Sequence, residues 1–303
     1  MNTTRVSAIT LALASRFERA WYRLPPRARS SKPMVRLGKV VYEISRRQQK
    51  RTPGALYTRF FRNRPLLEVL GELIRGWAPE ASLKLAVIGC STGAELYSVL
   101  WMARNHRPDL QVFAFGLDLS ETAIENARNG VYSLDRHETE RALPEGTEGL
   151  FIRHEGYVEV TESLRKCVSW LVGDACEPRA FEPIGNCDIV LANNFLVHMA
   201  DGQAATCLKN VVRTVVPGGY LCVWGINLDV RQEVVHEMGL IPVSNKVEEI
   251  YRADDRALEV WPWKYWGAEP LDKTRPDWMV RYSSIFRVPV QDTAAASGSV
   301  SPQ

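Results

Sequence analysis

Three apolar runs of the sequence stop at residues that could contact a ligand. The stretch AVIGCSTGAELYS (86–98) passes from an apolar run through Gly89 and a Cys-Ser-Thr-Gly loop to Glu95. A second apolar run ends at Asp118, and a third ends at Asp174. Runs of this length before a helical pattern are typical of strand-to-helix turns in a parallel sheet, where backbone N–H groups and a helix N-terminus face a ligand.

These residue types are suited to binding a nucleoside. The loop from Gly89 to Gly93 lets the backbone approach a ligand closely. Asp118 could accept hydrogen bonds from both ribose hydroxyls, and an acid at Asp174 could bind an adenine amino group. NAD is the nearest alternative, but it is normally bound by a G-x-G-x-x-G loop, whereas this loop reads G-x-x-x-G. We therefore expect S-adenosylmethionine rather than a dinucleotide.

Strand-like and helix-like patterns alternate around these residues. Strands are predicted at 83–90, 111–118, 167–174, 187–194 and 218–225, and helices at 94–106, 120–130 and 201–215. Ser120 is the expected N-cap of the second of these helices, and Gly130 its expected end. The alternation indicates an α/β fold with a doubly wound, mostly parallel sheet, to which 281–289 would add an antiparallel edge strand.

Composition divides the chain into three parts. The 303 residues are 46% hydrophobic, which is enough for a sizeable core. Residues 1–51 hold thirteen Lys and Arg against Glu18 and Glu43, a net charge of +11, so the remainder carries −8. We expect a basic helical segment at 1–52, a folded domain at 53–290 and, from its composition, a disordered tail at 291–303.

The basic N-terminal segment is predicted to contain two helices. Apolar residues recur at helical spacing as far as Leu24, with arginines between them, which predicts an amphipathic helix. A linker rich in Pro, Ser and Arg is expected at 23–33, and a second basic helix at about 34–50. The segment could dock on the body of the protein, on a partner protein or on an anionic membrane surface.

Cysteine usage and hydropathy favour a cytoplasmic location. The six cysteines lie in apolar stretches without a C-x-x-C pair, which is typical of reduced thiols rather than of disulfides or a zinc site. No apolar run approaches the ~20 residues that span a bilayer. We expect a cytoplasmic protein with no metal site, whose contact with a membrane would be made through residues 1–51.

Five segments between residues 54 and 225 resemble, in order, the motifs of one known family. CSTGAELYS is similar to that family's A-S-T-G-E-E-P-Y-S, and YTRFFRNRPLLEVL to its T-x-F-F-R segment. ENARNGVYSL resembles its A-R-x-G-x-Y element, and LANNFLVHM its C-R-N-V-x-I-Y-F loop. YVEVTESLRKCVSWLVGDA resembles the insertion before its third strand. The family is CheR, the S-adenosylmethionine-dependent methyltransferases that esterify glutamate side chains of bacterial chemoreceptors.

The resemblance implies a Rossmann-like class I methyltransferase fold and a set of cofactor contacts. Matched position by position, the contacts to S-adenosylmethionine fall on Thr58, Arg62, Glu95, Asp118, Asp174, Ala175, Asn193 and Asn194. The family's N-terminal helical domain is not recognisable in residues 1–52, and the aromatic-rich segment 261–278 has no counterpart. The sequence also departs from the family motifs at Leu56, Ala94, Asn193 and His198.

The resemblance further implies an O-methyltransferase whose methyl acceptor is a carboxylate, namely a protein glutamate side chain. A carboxylate is ionised at pH 7 and needs no base, only a cation such as Arg62 to orient it. A small molecule or glycan is an alternative acceptor, and a hydroxyl group would need a base, for which His198 is the candidate. A third reading is a scaffold that binds the cofactor without turnover. Nucleic acid ranks last, because no N-P-P-Y-like or Cys-nucleophile motif occurs.

Overall fold

The computed structural model describes most of the chain between residues 16 and 290. The described ranges are 16–41 without 18, 30, 35 and 39, then 58–78, 81–135, 138–139, 146–147, 149–253 and 269–290. Four predictions therefore lie outside the described residues in whole or in part: the start of the first basic helix, the second basic helix from residue 42 onwards, the aromatic-rich segment as far as residue 268, and the tail at 291–303. The predicted domain boundaries stay predictions.

The strands alternate with helices along the chain, as the sequence predicts. The strands are β1 (Ser82–Ile88), β2 (Gln111–Asp118), β3 (Val131–Ser133), β4 (Phe151–Arg153), β5 (Tyr157–Val160), β6 (Val168–Val172), β7 (Cys187–Asn193), β8 (Val215–Trp224), β9 (Ile241–Pro242) and β10 (Ile285–Arg287). The helices are α1 (Pro26–Arg29), α2 (Arg64–Arg75), α3 (Ala94–His106), α4 (Glu121–Asn129), α5 (Glu162–Arg165), α6 (Asp201–Arg213), α7 (Leu228–Glu237), α8 (Val247–Arg252) and α9 (Trp278–Tyr282).

Seven of these strands form one sheet in the order β6-β2-β1-β7-β8-β10-β9. The pairs from β6 to β8 are parallel, and β10 is antiparallel to both of its neighbours. The predicted late strand is therefore antiparallel, but its predicted edge position is wrong. Ile285 pairs with Cys222 of β8 and Phe286 pairs with Pro242 of β9, so the two-residue β9 forms the edge.

The sheet is covered by helices on both faces. Alternate side chains of β1 point to opposite faces, as in any strand. Leu85 and Val87 pack in one buried cluster with apolar residues of α2 and α3. Ala86 and Ile88 pack in the other cluster with residues of α6 and α7. This three-layer arrangement is the doubly wound, Rossmann-like architecture predicted from the sequence.

Local signals in the sequence set the ends of the helices beside the sheet. The Ser120 side chain accepts a hydrogen bond from the Ala123 N–H at 3.3 Å, and Gly130 ends α4 with a φ of 67°. The Asn63 side chain accepts from the Leu66 N–H at 3.1 Å and caps α2. The segment between α4 and β6 contains a separate antiparallel sheet in the order β3-β5-β4.

The described part of the N-terminal segment is helical over much of its length and carries its cations on the outside. Arg16, Arg19, Arg23 and Arg27 are exposed, whereas Trp21 is only 1% exposed. The linker predicted at 23–33 is wrong in part, because α1 lies within it. Proline at the first helical position has the φ that a helix needs, so a Pro-rich stretch can begin a short helix. Among the described residues, no helix combines the length and apolar composition needed to cross a membrane.

Candidate active site at the carboxyl ends of the strands

The site lies where the strand order reverses. From β1 the chain adds β2 and β6 on one side, then returns to place β7 on the other side of β1. In open α/β sheets, ligands bind beyond the carboxyl ends of the strands at such a point. The loops after β1 and β7 touch here, since a Cβ added at Gly89 would lie 2.6 Å from the Phe195 ring. Gly89 is therefore required both by this contact and by its φ of 67°.

Asp118 holds the loop after β1 in place. Its Oδ2 accepts a hydrogen bond from the Ser91 N–H at 2.7 Å, and its Oδ1 accepts from the Ser120 N–H at 2.9 Å. A carboxylate has about four acceptor positions, so two of them are still available to a ligand. Asp118 is half-buried. It can thus both fix the loop and bind a pair of hydroxyl groups.

A narrow cleft, partly open to solvent, lies beside this loop. The start of α2, the first turn of α3 and the ends of β7 and β8 converge on it. Its lining residues are Arg62, Asn63, Leu66, Glu95, Asn193, Asn194 and Trp224. The structure therefore brings together four residues that the resemblance assigns to the cofactor, from positions as far apart as Arg62 and Asn194.

Glu95 is the acidic group of this cleft. Its Oε1 accepts a hydrogen bond from the Asn193 Nδ2 at 2.9 Å. Burial raises the pKa of Glu95, while the Asn193 hydrogen bond and the positive charge of Arg62 lower that pKa and offset part of the effect. The bond to Glu95 also fixes the orientation of the Asn193 amide, because only its NH₂ group can donate to a carboxylate.

Among the described residues, three buried polar atoms around the cleft have no hydrogen-bond partner: Asn193 Oδ1, Asn194 Oδ1 and Trp224 Nε1. Leaving a buried polar group unpaired costs about 1–3 kcal/mol. Such groups gathered around one cleft indicate a ligand that supplies the missing partners. The two amide oxygens fit S-adenosylmethionine, since its ammonium group can donate to both.

The other predicted site residues are not among the lining residues of the cleft. Asp174 follows β6, and its Oδ1 accepts from the Cys176 N–H at 2.9 Å. Ala175 is buried at 9% exposure and Thr58 at 7%. His198 is exposed, in a short 3₁₀ helix (Leu196–His198) after β7.

Sequence reasoning missed three of the lining residues. Trp224 is the last residue of β8, so the strand-end rule that selected Asp118 could have found it. Asn63 follows Arg62 and precedes Arg-Pro, which is a recognisable helix start. Leu66 carries no comparable signal, because its spacing in α2 is that of an ordinary core residue.

Solved structures with a similar fold are methyltransferases. An O-methyltransferase family protein from Burkholderia thailandensis is 18% identical with a TM-score of 0.34, and the match covers 58% of this chain and 43% of that one. The CurJ carbon methyltransferase is 14% identical with a TM-score of 0.40, and the match covers 59% of this chain and 46% of that one. Each match thus spans less than half the length of the methyltransferase to which this chain is compared.

A third such structure is the N-methyltransferase NodS from Bradyrhizobium japonicum in complex with S-adenosylhomocysteine. It is 18% identical with a TM-score of 0.35, and the match covers 67% of this chain and 87% of that one. No curated protein matches the sequence. The model of the CheR methyltransferase SAM-binding domain matches residues 57–238. The chain belongs to the CheR methyltransferase family, and the matched region is that family's SAM-binding domain.

Proposed function

We propose that this protein is an O-methyltransferase of the CheR type that esterifies a carboxylate, and that the acceptor is a glutamate side chain of a protein. The observation that carries the proposal is the position of Arg62 in the same cleft as Glu95, Asn193 and Asn194. A guanidinium group is the side chain best suited to orient a carboxylate.

Different residues of the site would bind different parts of the cofactor. Asp118 would bind the ribose hydroxyls, and Asp174 with Ala175 would lie along the adenine. The amide oxygens of Asn193 and Asn194 would accept from the ammonium group. S-adenosylmethionine supplies an electrophilic methyl group and a good leaving group. The protein has to align the acceptor oxygen with that methyl group and exclude water.

The charges in the cleft favour a carboxylate acceptor. Among the lining residues, Arg62 and Glu95 carry opposite charges and balance each other when both are ionised. The cofactor carries an ammonium, a sulfonium and a carboxylate, which leaves one unbalanced positive charge. A carboxylate acceptor adds a negative charge that is attracted to the sulfonium, whereas a hydroxyl acceptor adds none.

The alternative acceptor, a hydroxyl group of a small molecule or glycan, needs a base to take its proton. His198 is the candidate from the sequence, and it lies exposed after β7 rather than in the cleft lining. A carboxylate acceptor needs no proton transfer, because its oxygen is already ionised at pH 7. The position of Arg62 therefore supports the carboxylate more directly than the position of His198 supports the hydroxyl.

The proposal is tested by whether alkali breaks the bond between the transferred methyl group and its acceptor. The purified protein is incubated with S-adenosylmethionine labelled in the methyl group and a lysate of the source cell, which is then separated into protein and small molecules. Mild alkali releases the label from an ester as volatile methanol but leaves ethers and N-methyl groups intact. We expect alkali-labile label in the protein fraction. Alkali-stable label would overturn the carboxylate, and label in small molecules would overturn the protein acceptor.

Two variants make the assay specific to the cleft. Arg62→Ala should lose most of the labelling, whereas Arg64→Ala, which removes an exposed arginine two positions later, should retain it. If no fraction is labelled although S-adenosylhomocysteine binds, the reading as a scaffold without turnover replaces this proposal.

A further inference from the structure

The indole of Trp224 is a buried hydrogen-bond donor with no partner among the described residues. Trp224 ends β8, is 3% exposed and lines the cleft. Within the part of the chain that the structure describes, its Nε1 makes no hydrogen bond. The ring is held from behind by an edge-to-face contact with Tyr251, with the centroids 5.1 Å apart and the planes at 85°.

Tyr251 is held in place by its own contacts, and it therefore restricts the motion of the Trp224 indole. The Tyr251 hydroxyl donates to the Glu269 carbonyl oxygen at 2.6 Å and accepts from the Glu269 N–H at 2.7 Å. Glu269 is itself held by a buried pair with Arg281, at 2.6 Å between Oε1 and Nε. The position of the Trp224 N–H is therefore set by the fold before any ligand binds, which lowers the entropic cost of using it.

The Trp224 N–H and the neighbouring amide oxygens bind different kinds of group, because the N–H needs an acceptor whereas the amide oxygens need donors. The other two unpartnered atoms of the cleft, Asn193 Oδ1 and Asn194 Oδ1, are acceptors. An indole N–H can only donate, so its partner must be an acceptor atom, such as a carboxylate oxygen. Trp224 also lies outside the positions that the CheR resemblance assigns to the cofactor. The group that accepts from the Trp224 N–H is thus not among the cofactor groups that the resemblance accounts for.

We propose that the Trp224 N–H donates to the carboxylate of the methyl acceptor, at the oxygen that does not become methylated, and so selects and orients a carboxylate. This inference rests on the proposed function. Trp224 and Arg62 line the same cleft and supply two donors to one anion. A hydrogen bond to an ionised acceptor is about twice as strong as one to a neutral acceptor, so the pair discriminates a carboxylate from an amide.

The kinetic role of Trp224 follows from the charge change. The acceptor carboxylate loses its negative charge as the ester forms, so a hydrogen bond to it weakens along the reaction. Trp224 therefore binds and positions the acceptor rather than stabilising the transition state. With the natural acceptor, Trp224→Phe should raise KM by more than it lowers kcat.

A binding experiment without turnover tests the inference. Protein with ¹⁵N-labelled indoles is saturated with S-adenosylhomocysteine and titrated with N-acetylglutamate N-methylamide, with the corresponding glutamine compound as the matched probe. We expect the Trp224 indole proton, assigned through Trp224→Phe, to shift downfield with the glutamate probe. The variant should bind this probe about 10- to 100-fold more weakly, the range for a hydrogen bond to a charged group.

Controls separate this inference from the proposed function. Trp224→Phe should bind S-adenosylhomocysteine as the wild type does, and Trp77→Phe, which changes a tryptophan beyond the far end of α2, should leave the affinity for the glutamate probe unchanged. An indole shift caused by S-adenosylhomocysteine alone would assign Trp224 to the cofactor and overturn the inference. If none of the nine tryptophan indoles of the wild type shifts when the glutamate probe is added, the inference is also overturned. This result does not depend on whether the variant folds. Alkali-labile product formed with an unchanged KM in Trp224→Phe would overturn the inference but leave the proposed function standing.

Discussion

The Asn193 side chain donates a hydrogen bond of 2.9 Å to the Glu95 carboxylate and so joins the end of β7 to the first turn of α3. These two elements flank the reversal of strand order. The bond joins the loops after β1 and β7 into one site. It also turns the Asn193 Oδ1 away from Glu95, so that this oxygen can accept a hydrogen bond from a ligand. Glu95 thus orients its neighbour as well as supplying charge.

Asp118→Ala should weaken binding of S-adenosylhomocysteine by about 1.5–3 kcal/mol, or roughly 10- to 100-fold in Kd, because the hydrogen bonds to the ribose are made to a charged group. Isothermal titration calorimetry measures the change. The variant should also lose stability, since the Ser91 N–H and Ser120 N–H lose their acceptor.

Asp188→Ala is the matched control for this variant. The Asp188 Oδ2 accepts from the Lys84 N–H at 2.7 Å, the same kind of bond near the opposite ends of the strands. We expect Asp188→Ala to lose stability but to keep its affinity for S-adenosylhomocysteine. Equal losses of affinity in the two variants would show that general destabilisation, rather than contact with the ribose, explains the effect of Asp118.

Glu95→Gln should be more stable than the wild type near pH 7. Burial raises the pKa of Glu95 in the folded protein, so the folded state binds the proton more tightly than the unfolded chain does. The stability from this group is complete below the unfolded pKa of about 4.3 and is lost as the pH rises through the folded pKa. The gain in Glu95→Gln should therefore disappear towards pH 4.

Urea unfolding of both proteins between pH 4 and pH 7 (a range chosen from the typical glutamate pKa) measures that difference. A variant that is less stable than the wild type at pH 7 would contradict the prediction. We also expect Glu95→Gln to bind S-adenosylhomocysteine more weakly, because removing the charge changes the electrostatics of the cleft. Such a result would show that Glu95 is retained for function at a cost in stability.

His198→Gln should keep most of the activity if the acceptor is a carboxylate, and the rate of the wild type should not fall through the range of about pH 6–7 in which histidines commonly titrate. Arg62→Ala should lower kcat/KM by roughly 10- to 100-fold through the loss of a charged hydrogen bond. A loss of 10²–10⁴-fold in His198→Gln with unchanged cofactor binding would instead establish a base and a hydroxyl acceptor.

Trp21→Ala should destabilise the protein by about 3–5 kcal/mol, the cost of removing a fully buried tryptophan, without changing the Kd for S-adenosylhomocysteine. Tyr22→Ala removes the next residue, which is 46% exposed, and should change stability by less than about 0.5 kcal/mol. Thermal or urea unfolding compares the two variants. Equal, small effects would show that the basic N-terminal segment does not contribute to the folded core.

The elements with strong periodic patterns could be predicted from the sequence, some to the residue. The strand at 111–118 and the helix at 94–106 have the predicted bounds. The two-residue β9 is too short to produce a pattern. The place of β10 between β8 and β9 depends on pairing across the sheet, which no local signal of β10 encodes.

The candidate site was predictable where it depends on strand ends. Asp118 and Asn193 end strands, and a parallel sheet brings such ends to one edge whatever their separation in sequence. Trp224 obeys the same rule, but a tryptophan in an apolar strand is indistinguishable from a packing residue. Its missing partner is visible only once the neighbours on α8 and the cleft are in place.

The late arrival of β10 has a consequence for synthesis on the ribosome. The outer edge of β8 (Val215–Trp224) is paired by Ile285–Arg287, which is made about sixty residues later. Until those residues emerge, a nascent chain exposes the unpaired edge of an already apolar strand, a surface that favours pairing with other chains. Release of a chain cut before Ile285 should therefore give aggregates rather than a smaller folded enzyme, even though the matched SAM-binding region at 57–238 would be complete.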